Sequence, residues 1–154
     1  MLEKTRIWQV LQRSINIDPV QVFMSVSTDD VLRKIVELNR EQLMQGLDAA
    51  GRLLSDIGGE YADLTLELHP EKSRFTITLF DTGAYHESIT ARVTPEGYII
   101  EGDHFKEDFG YITDLTERWG EDIEGLNEES LAKLSQEVLI RNYVEYFKTQ
   151  ILRV

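Results

Sequence analysis

The chain has 154 residues, 42% of them hydrophobic and 29% charged, which suits one globular domain over 1–154 and excludes a disordered or low-complexity chain. It has no Cys, so a disulfide framework, a thiol nucleophile and a Cys zinc site are excluded, and three His residues make no metal cage; no metal and no cofactor are expected. The net charge of -12 speaks against ordinary nucleic-acid binding, no apolar run reaches the ~18 residues of a membrane helix, and no apolar h-region of a signal peptide follows Met1-Leu2-Glu3-Lys4-Thr5-Arg6.

In chain order, residues 2–15 read as an amphipathic helix, with Leu2, Ile7, Trp8, Val10, Leu11 and Ile15 near one broad face. Asp18-Pro19 ends it and can start a short helix over 19–25, with Asp as the cap and Pro at the first position. Residues 1–26 are therefore expected as a helical N-terminal arm and 28–154 as the core. Thr28 with Asp29 and Asp30 opens a helix carrying Val31, Leu32, Ile35, Leu38, Met44 and Leu47, and Gly51 closes this region. Residues 48–74 have no sustained period and read as a loop with a short helix inside. Leu53, Leu54, Ile57 and Tyr61 lie there without core periodicity, the pattern of a partner interface, or of side chains packed under the loop in their own subunit.

Strands are predicted over 74–80, 88–94 and 98–101, the last two forming a hairpin about Pro95-Glu96-Gly97. A helical stretch is expected around 113–119. Asn127 with Glu128 and Glu129 opens a long terminal helix whose expected buried stripe is Leu131, Leu134, Val138, Tyr143, Tyr146 and Phe147. The predicted fold is α+β: a small antiparallel sheet flanked by N-terminal helices and a long C-terminal helix.

The acidity is local. Residues 61–126 carry 5 basic and 15 acidic side chains, whereas 1–60 are net -2 and 127–154 are neutral. Between Glu101 and Glu124, nine acids face only Lys106 and Arg118 in sequence. Such a stretch is a solvated face, a surface that lets DNA pass without sticking, or a DNA mimic offered to a basic partner. Asp103, Asp108 and Asp114 lack the spacing and central Gly of a calcium loop.

One motif suggests chemistry. Leu79-Phe80-Asp81-Thr82-Gly83-Ala84 carries the Asp-Thr-Gly signature of aspartic proteases, where two such Asp residues share a proton across a dimer or pseudo-dimer. Those enzymes are almost all β, this chain is rich in helices, and Ile99-Ile100-Glu101-Gly102 puts Glu into the supporting apolar element. Asp81, Thr82 and Gly83 then read as a structural turn. His69, His86 and His104 are dispersed, Ser88 lacks a nucleophile elbow, and Gly58-Gly59 is followed by no Lys-Ser/Thr. No catalytic residue is assigned and no enzyme activity is expected.

The order of short motifs carries a resemblance. Asn39 to Gly51 contains Gln42-Leu43, then Gly46, Asp48 and Gly51; Ile57-Gly58-Gly59-Glu60-Tyr61-Ala62-Asp63-Leu64-Thr65 follows, then Lys72. Thr78-Leu79-Phe80-Asp81-Thr82-Gly83 with Ser88 comes next, and Glu124-Gly125-Leu126-Asn127-Glu128-Glu129 opens the last helix. Over about residues 28–150 this resembles the small virion-morphogenesis, tail-completion and head–tail joining proteins of tailed phages and prophages. Arg52-Leu53-Leu54 stands where many relatives carry a Trp, and the acidic stretch replaces a basic or His-Gly segment. The resemblance implies a non-enzymatic structural protein in a phage neck or tail, made in the host bacterial cytoplasm and located in the virion. It implies a symmetric homo-oligomer beside neighbouring neck or tail proteins, with no specific nucleic-acid binding and no membrane. Asp114, Glu117, Glu121 and Asp122 would then line a DNA channel and repel its backbone. The rivals are an acidic DNA-mimic inhibitor and, further off, a dimeric aspartic protease using Asp81.

Overall fold

In the computed structural model, described over residues 5–108 and 110–153, several helix starts follow from their local chemistry. Helix α1 (Arg6–Ile15) begins where the Thr5 hydroxyl accepts from the Trp8 amide, 3.2 Å; positions 2–4 of the expected helix lie outside the described residues. Asp18 caps α2 (Pro19–Val26) by accepting from the Val20 and Gln21 amides, with Pro19 at the first position where its missing N–H costs nothing. Helix α3 (Asp29–Met44) has Asp29 and Asp30 in its first turn and buries Val31, Ile35, Leu38 and Leu43.

Two short helices, α4 (Leu54–Gly58) and α5 (Asp63–Leu68), occupy the loop, and α6 (Ala84–Ser88) follows the Asp-Thr-Gly turn. Two antiparallel hairpins come next. The first pairs β1 (Thr90–Thr94) with β2 (Gly97–Glu101), register Thr94 to Gly97, about the predicted Pro95-Glu96 turn. The second pairs β3 (Phe105–Asp108) with β4 (Tyr111–Asp114) inside the acidic stretch. Helix α7 (Leu115–Trp119) and a 3-10 turn (Glu121–Ile123) lead to the C-terminal helix. There Asn127 accepts from the Ser130 amide, 2.9 Å, as a cap. The C-terminal helix spans 128–152 and alternates α-helical (Glu128–Leu134, Ile140–Tyr146) with π-helical turns (Ser135–Leu139, Phe147–Leu152). The fold is α+β, with its strands in two separate two-stranded sheets.

Two expectations are corrected. Residues 74–80 form no strand: Arg74 and Phe75 lie in a turn, the rest is irregular with Ile77 buried and no ladder partner among the described residues, and Leu79 turns into the left-handed region at φ 53°. The terminal stripe is also shorter than its period suggests. Leu134 and Val138 are buried and Tyr146 is half-buried, while Leu131, Tyr143 and Phe147 are exposed. The π turns carry more residues per turn than 3.6 and so shift the phase of the apolar positions. Beyond Leu139 the helix runs against α1 and α2 rather than the core.

The core has two clusters. Leu43, Leu54, Ile77, Tyr85, Ile89, Leu115, Trp119 and Ile123 form one; Val31, Ile35, Leu38, Leu134 and Val138 form the other. Ile100 of β2 packs against both. No helix among the described residues is long and apolar enough to cross a membrane.

Candidate functional site

The first and last of the motifs that carry the resemblance meet in a buried polar clasp between the end of α3 and the start of the C-terminal helix. Gly46, at φ 75°, turns the chain out of α3, and Asp48 follows, fully buried. Asp48 Oδ1 accepts from the Ala50 and Arg52 amides at 2.9 and 2.8 Å, and Oδ2 accepts from Arg52 Nε at 2.8 Å. Arg52 continues to Asp122 at 2.8 Å, and the Ala49 amide donates to the Asp122 carbonyl, 2.8 Å. On the other side, Asn39 Nδ2 donates to the carbonyls of Ile123 and Gly125 at 3.0 and 2.8 Å. Gln42 Nε2 donates to the Gly125 carbonyl, 3.1 Å, while its Oε1 accepts from the Asn127 amide, 2.7 Å. A Cβ on Gly125 would stand 2.7 Å from that of Ala49, so the Gly125 backbone lies directly against the Ala49 methyl group. Nearly every polar atom of the clasp is satisfied inside the chain, the requirement for burying them at all.

The Asp-Thr-Gly segment is a turn stitched to its surroundings. Gly83, buried and at φ 89°, precedes α6, and the Thr82 hydroxyl accepts from the Ala84 amide at 3.3 Å. Asp81 pairs with Lys106 of β3 at 2.8 Å and Lys72 at 3.7 Å. The Lys106 hydrogen bond, helped by Lys72 and His69, holds the Asp81 carboxyl below its ordinary value, the reverse of a proton-sharing dyad. Beneath the turn, His86 Nε2 donates to the Thr78 carbonyl at 2.8 Å, and burial lowers its pKa, which keeps the imidazole neutral.

The acidic stretch is not one uniform face. Asp114 Oδ1 caps α7 through the Thr116 amide and hydroxyl, 2.8 and 2.7 Å, and the Thr116 hydroxyl above all lowers its pKa. Asp122 is engaged with Arg52. His104 stands between Asp114, 3.9 Å, and Glu124, 3.5 Å, and Glu124 accepts from the Gly102 amide, 3.0 Å. Glu117 and Glu121 are exposed. Among the described residues, no group of three or more His, Asp or Glu could hold a metal ion.

The proposed apolar interface is corrected in part. Leu54 is fully buried, and Ile57 and Tyr61 pack against the same core cluster, so these three are taken by their own chain. The reason is the close seat of α4 on α7: Arg118 Nε donates to the Gly58 carbonyl at 2.8 Å, and a Cβ on Gly58 would meet Trp119 Nε1 at 2.4 Å. Leu53 alone of the four is exposed, at 43%. Sequence reasoning missed the burial of Asn39, Gln42 and Asp48; the Gly46-x-Asp48-x-x-Gly51 spacing was the available signal, since glycines on both sides of an Asp allow a tight loop to fold around it.

No family model, no curated protein and no solved structure matches the chain.

Proposed function

We propose that this chain is a non-enzymatic structural subunit of a phage-like neck or tail, assembling as a symmetric ring or joint between head and tail beside neighbouring neck or tail proteins, and residing in the virion. The observation that supports it is the use of the motif residues. Asp48, Gln42, Gly125 and Asn127 organise the clasp, and Asp81, Thr82 and Gly83 shape a turn. Each serves the geometry of loops, as a scaffold subunit needs, and Asp81 is tied to lysines rather than poised for proton transfer.

In this reading the acidic face passes DNA without binding it, through the exposed Glu117 and Glu121 more than through Asp114 and Asp122, which are engaged in the fold. The test is absolute mass by light scattering followed by negative-stain imaging of the same peak. A closed ring of several copies is expected. A discrete dimer whose peptidase activity disappears in Asp81→Asn overturns the proposal in favour of the protease.

A further inference from the structure

Helix α1 buries none of its residues although one face is apolar. Among the described residues only one edge touches its own chain: Val10, Arg13 and Ser14 are half-buried, and Arg13 Nη1 donates to the Ile151 carbonyl at 2.5 Å. At 100° per residue, Ile7, Leu11, Ile15 and Trp8 follow one another over an arc of about 100°. That arc faces solvent, with Ile7 72%, Leu11 49%, Ile15 73% and Trp8 37% exposed. These side chains present on the order of 400 Å² of apolar surface, a patch of the size that marks contact sites.

An acceptor of matching length lies elsewhere on the molecule. A groove of about 870 Å³ runs between α3 and β1, floored by Leu32, Val36, Ile89 and Ala91, ended by Met44 and edged by Arg33, Glu37, Arg40 and Glu41. From Leu32 to Met44 it follows ~18 Å of helix, and the α1 stripe needs ~12 Å. The groove rim itself is balanced, Arg33 and Arg40 against Glu37 and Glu41, and the complementarity lies in the wider surfaces that meet around it. Residues 5–28 and 139–153 carry five basic and two acidic side chains, net +3, whereas 29–138 carry 10 basic and 25 acidic, net -15. With α1, α2 and the end of the C-terminal helix that packs on them taken together as the arm, arm against arm sets like charges together, and arm against body sets opposite ones together.

We propose that α1 of one copy of this chain seats its Ile7–Leu11–Ile15 stripe in the α3–β1 groove of the next copy. Donor and acceptor are different surfaces, so the contact is head-to-tail and can propagate around a ring. It supplies the contact that the neck-or-tail reading requires, and rests on that reading for closure of the array.

The test uses light scattering on the full chain with Leu11→Glu in the arm and Met44→Lys at the groove. Both residues are exposed, so both variants should melt as the wild type does, which circular dichroism checks. The expected result is a wild-type mass that rises above the monomer with concentration, a monomer for either variant alone, and a dimer but nothing larger from their mixture, since one arm and one groove remain intact. Because the chain has no Cys, L11C and M44C chains give an independent measurement: on mixing and mild oxidation they should cross-link to each other in preference to themselves. A wild-type ring unaffected by either variant, or preferential L11C–L11C cross-linking, overturns this contact and leaves the neck-or-tail reading standing. A wild type that stays monomeric at every concentration overturns the contact, and the absence of rings in the same sample by negative stain counts against self-assembly as well.

Discussion

Asp48 shows how much a single buried carboxylate can organise. It accepts from two backbone amides and from Arg52, and it is fully screened from water. Asp48→Ala leaves those donors without their acceptor and should cost on the order of 3 kcal/mol, read from the denaturant midpoint. Gly58 sits at the opposite limit, where any side chain is too much. Gly58→Ala drives a methyl into the Trp119 indole, 2.4 Å from Nε1, and should destabilise by about 1–3 kcal/mol in the same measurement. Asp81 has a pH signature. Its folded pKa is lowered below 3.8, so its contribution is present above that pH and is lost as pH falls through the folded value. Solvent screening of this partly exposed pair keeps the effect small. Unfolding curves at neutral pH and below pH 3.8 should differ less for Asp81→Asn than for the wild type.

The C-terminal helix is two elements joined end to end. Its first half lies in the core through Leu134 and Val138, and its second half meets α1 and α2 with Ile140, Tyr143, Val144 and Phe147 exposed. Leu134→Ala should therefore cost about 2–5 kcal/mol, whereas Ile140→Ala should stay within roughly 0.5 kcal/mol; thermal melting of the two variants checks the contrast. The hairpins differ in the same manner. β1–β2 is half-buried through Ile100 and Tyr98, which pack on the core, while Tyr111 and Ile112 of β4 are largely exposed. Helix α7 holds the second hairpin to the core through Leu115 and Trp119.

The molecule as a unit is electrically divided between a basic, apolar helical arm and an acidic body. Any association that seats one on the other should weaken as salt rises, because the Debye length is ~10 Å at 0.1 M and the charges lie at the surface. Light scattering across a salt series checks this. If the acidic face lines a DNA channel, Glu117→Gln with Glu121→Gln should leave assembly intact and slow DNA ejection from particles. Neutralising Asp114 or Asp122 as well would mix that effect with loss of the α7 cap and of the Arg52 bridge.

Local chemistry determined several starts and turns of this protein. Asp18-Pro19, Asn127 and Pro95-Glu96-Gly97 act within a few residues of themselves, and the helices that begin at Pro19 and Glu128 and the first hairpin form where this capping and turn chemistry places them, whereas α3 starts at Thr28 without a side-chain cap bond. The tertiary structure decided everything that depends on a distant partner. Residues 74–80 have strand composition but pair with no strand among the described residues, and the turn at Arg74-Phe75 and the left-handed Leu79 interrupt them. Leu54, Ile57 and Tyr61 have no period because a short helix and a loop present them to the core one by one, with Trp119 and Leu115 arriving from 60 residues away. The clasp was half legible: its glycines and Asp48 are adjacent in sequence, but Asn39, Gln42 and Gly125 meet only because α3 and the 3-10 turn pack together. Backbone turns are local free-energy minima, whereas burial is a property of what the rest of the chain brings near, and only the folded molecule brings it.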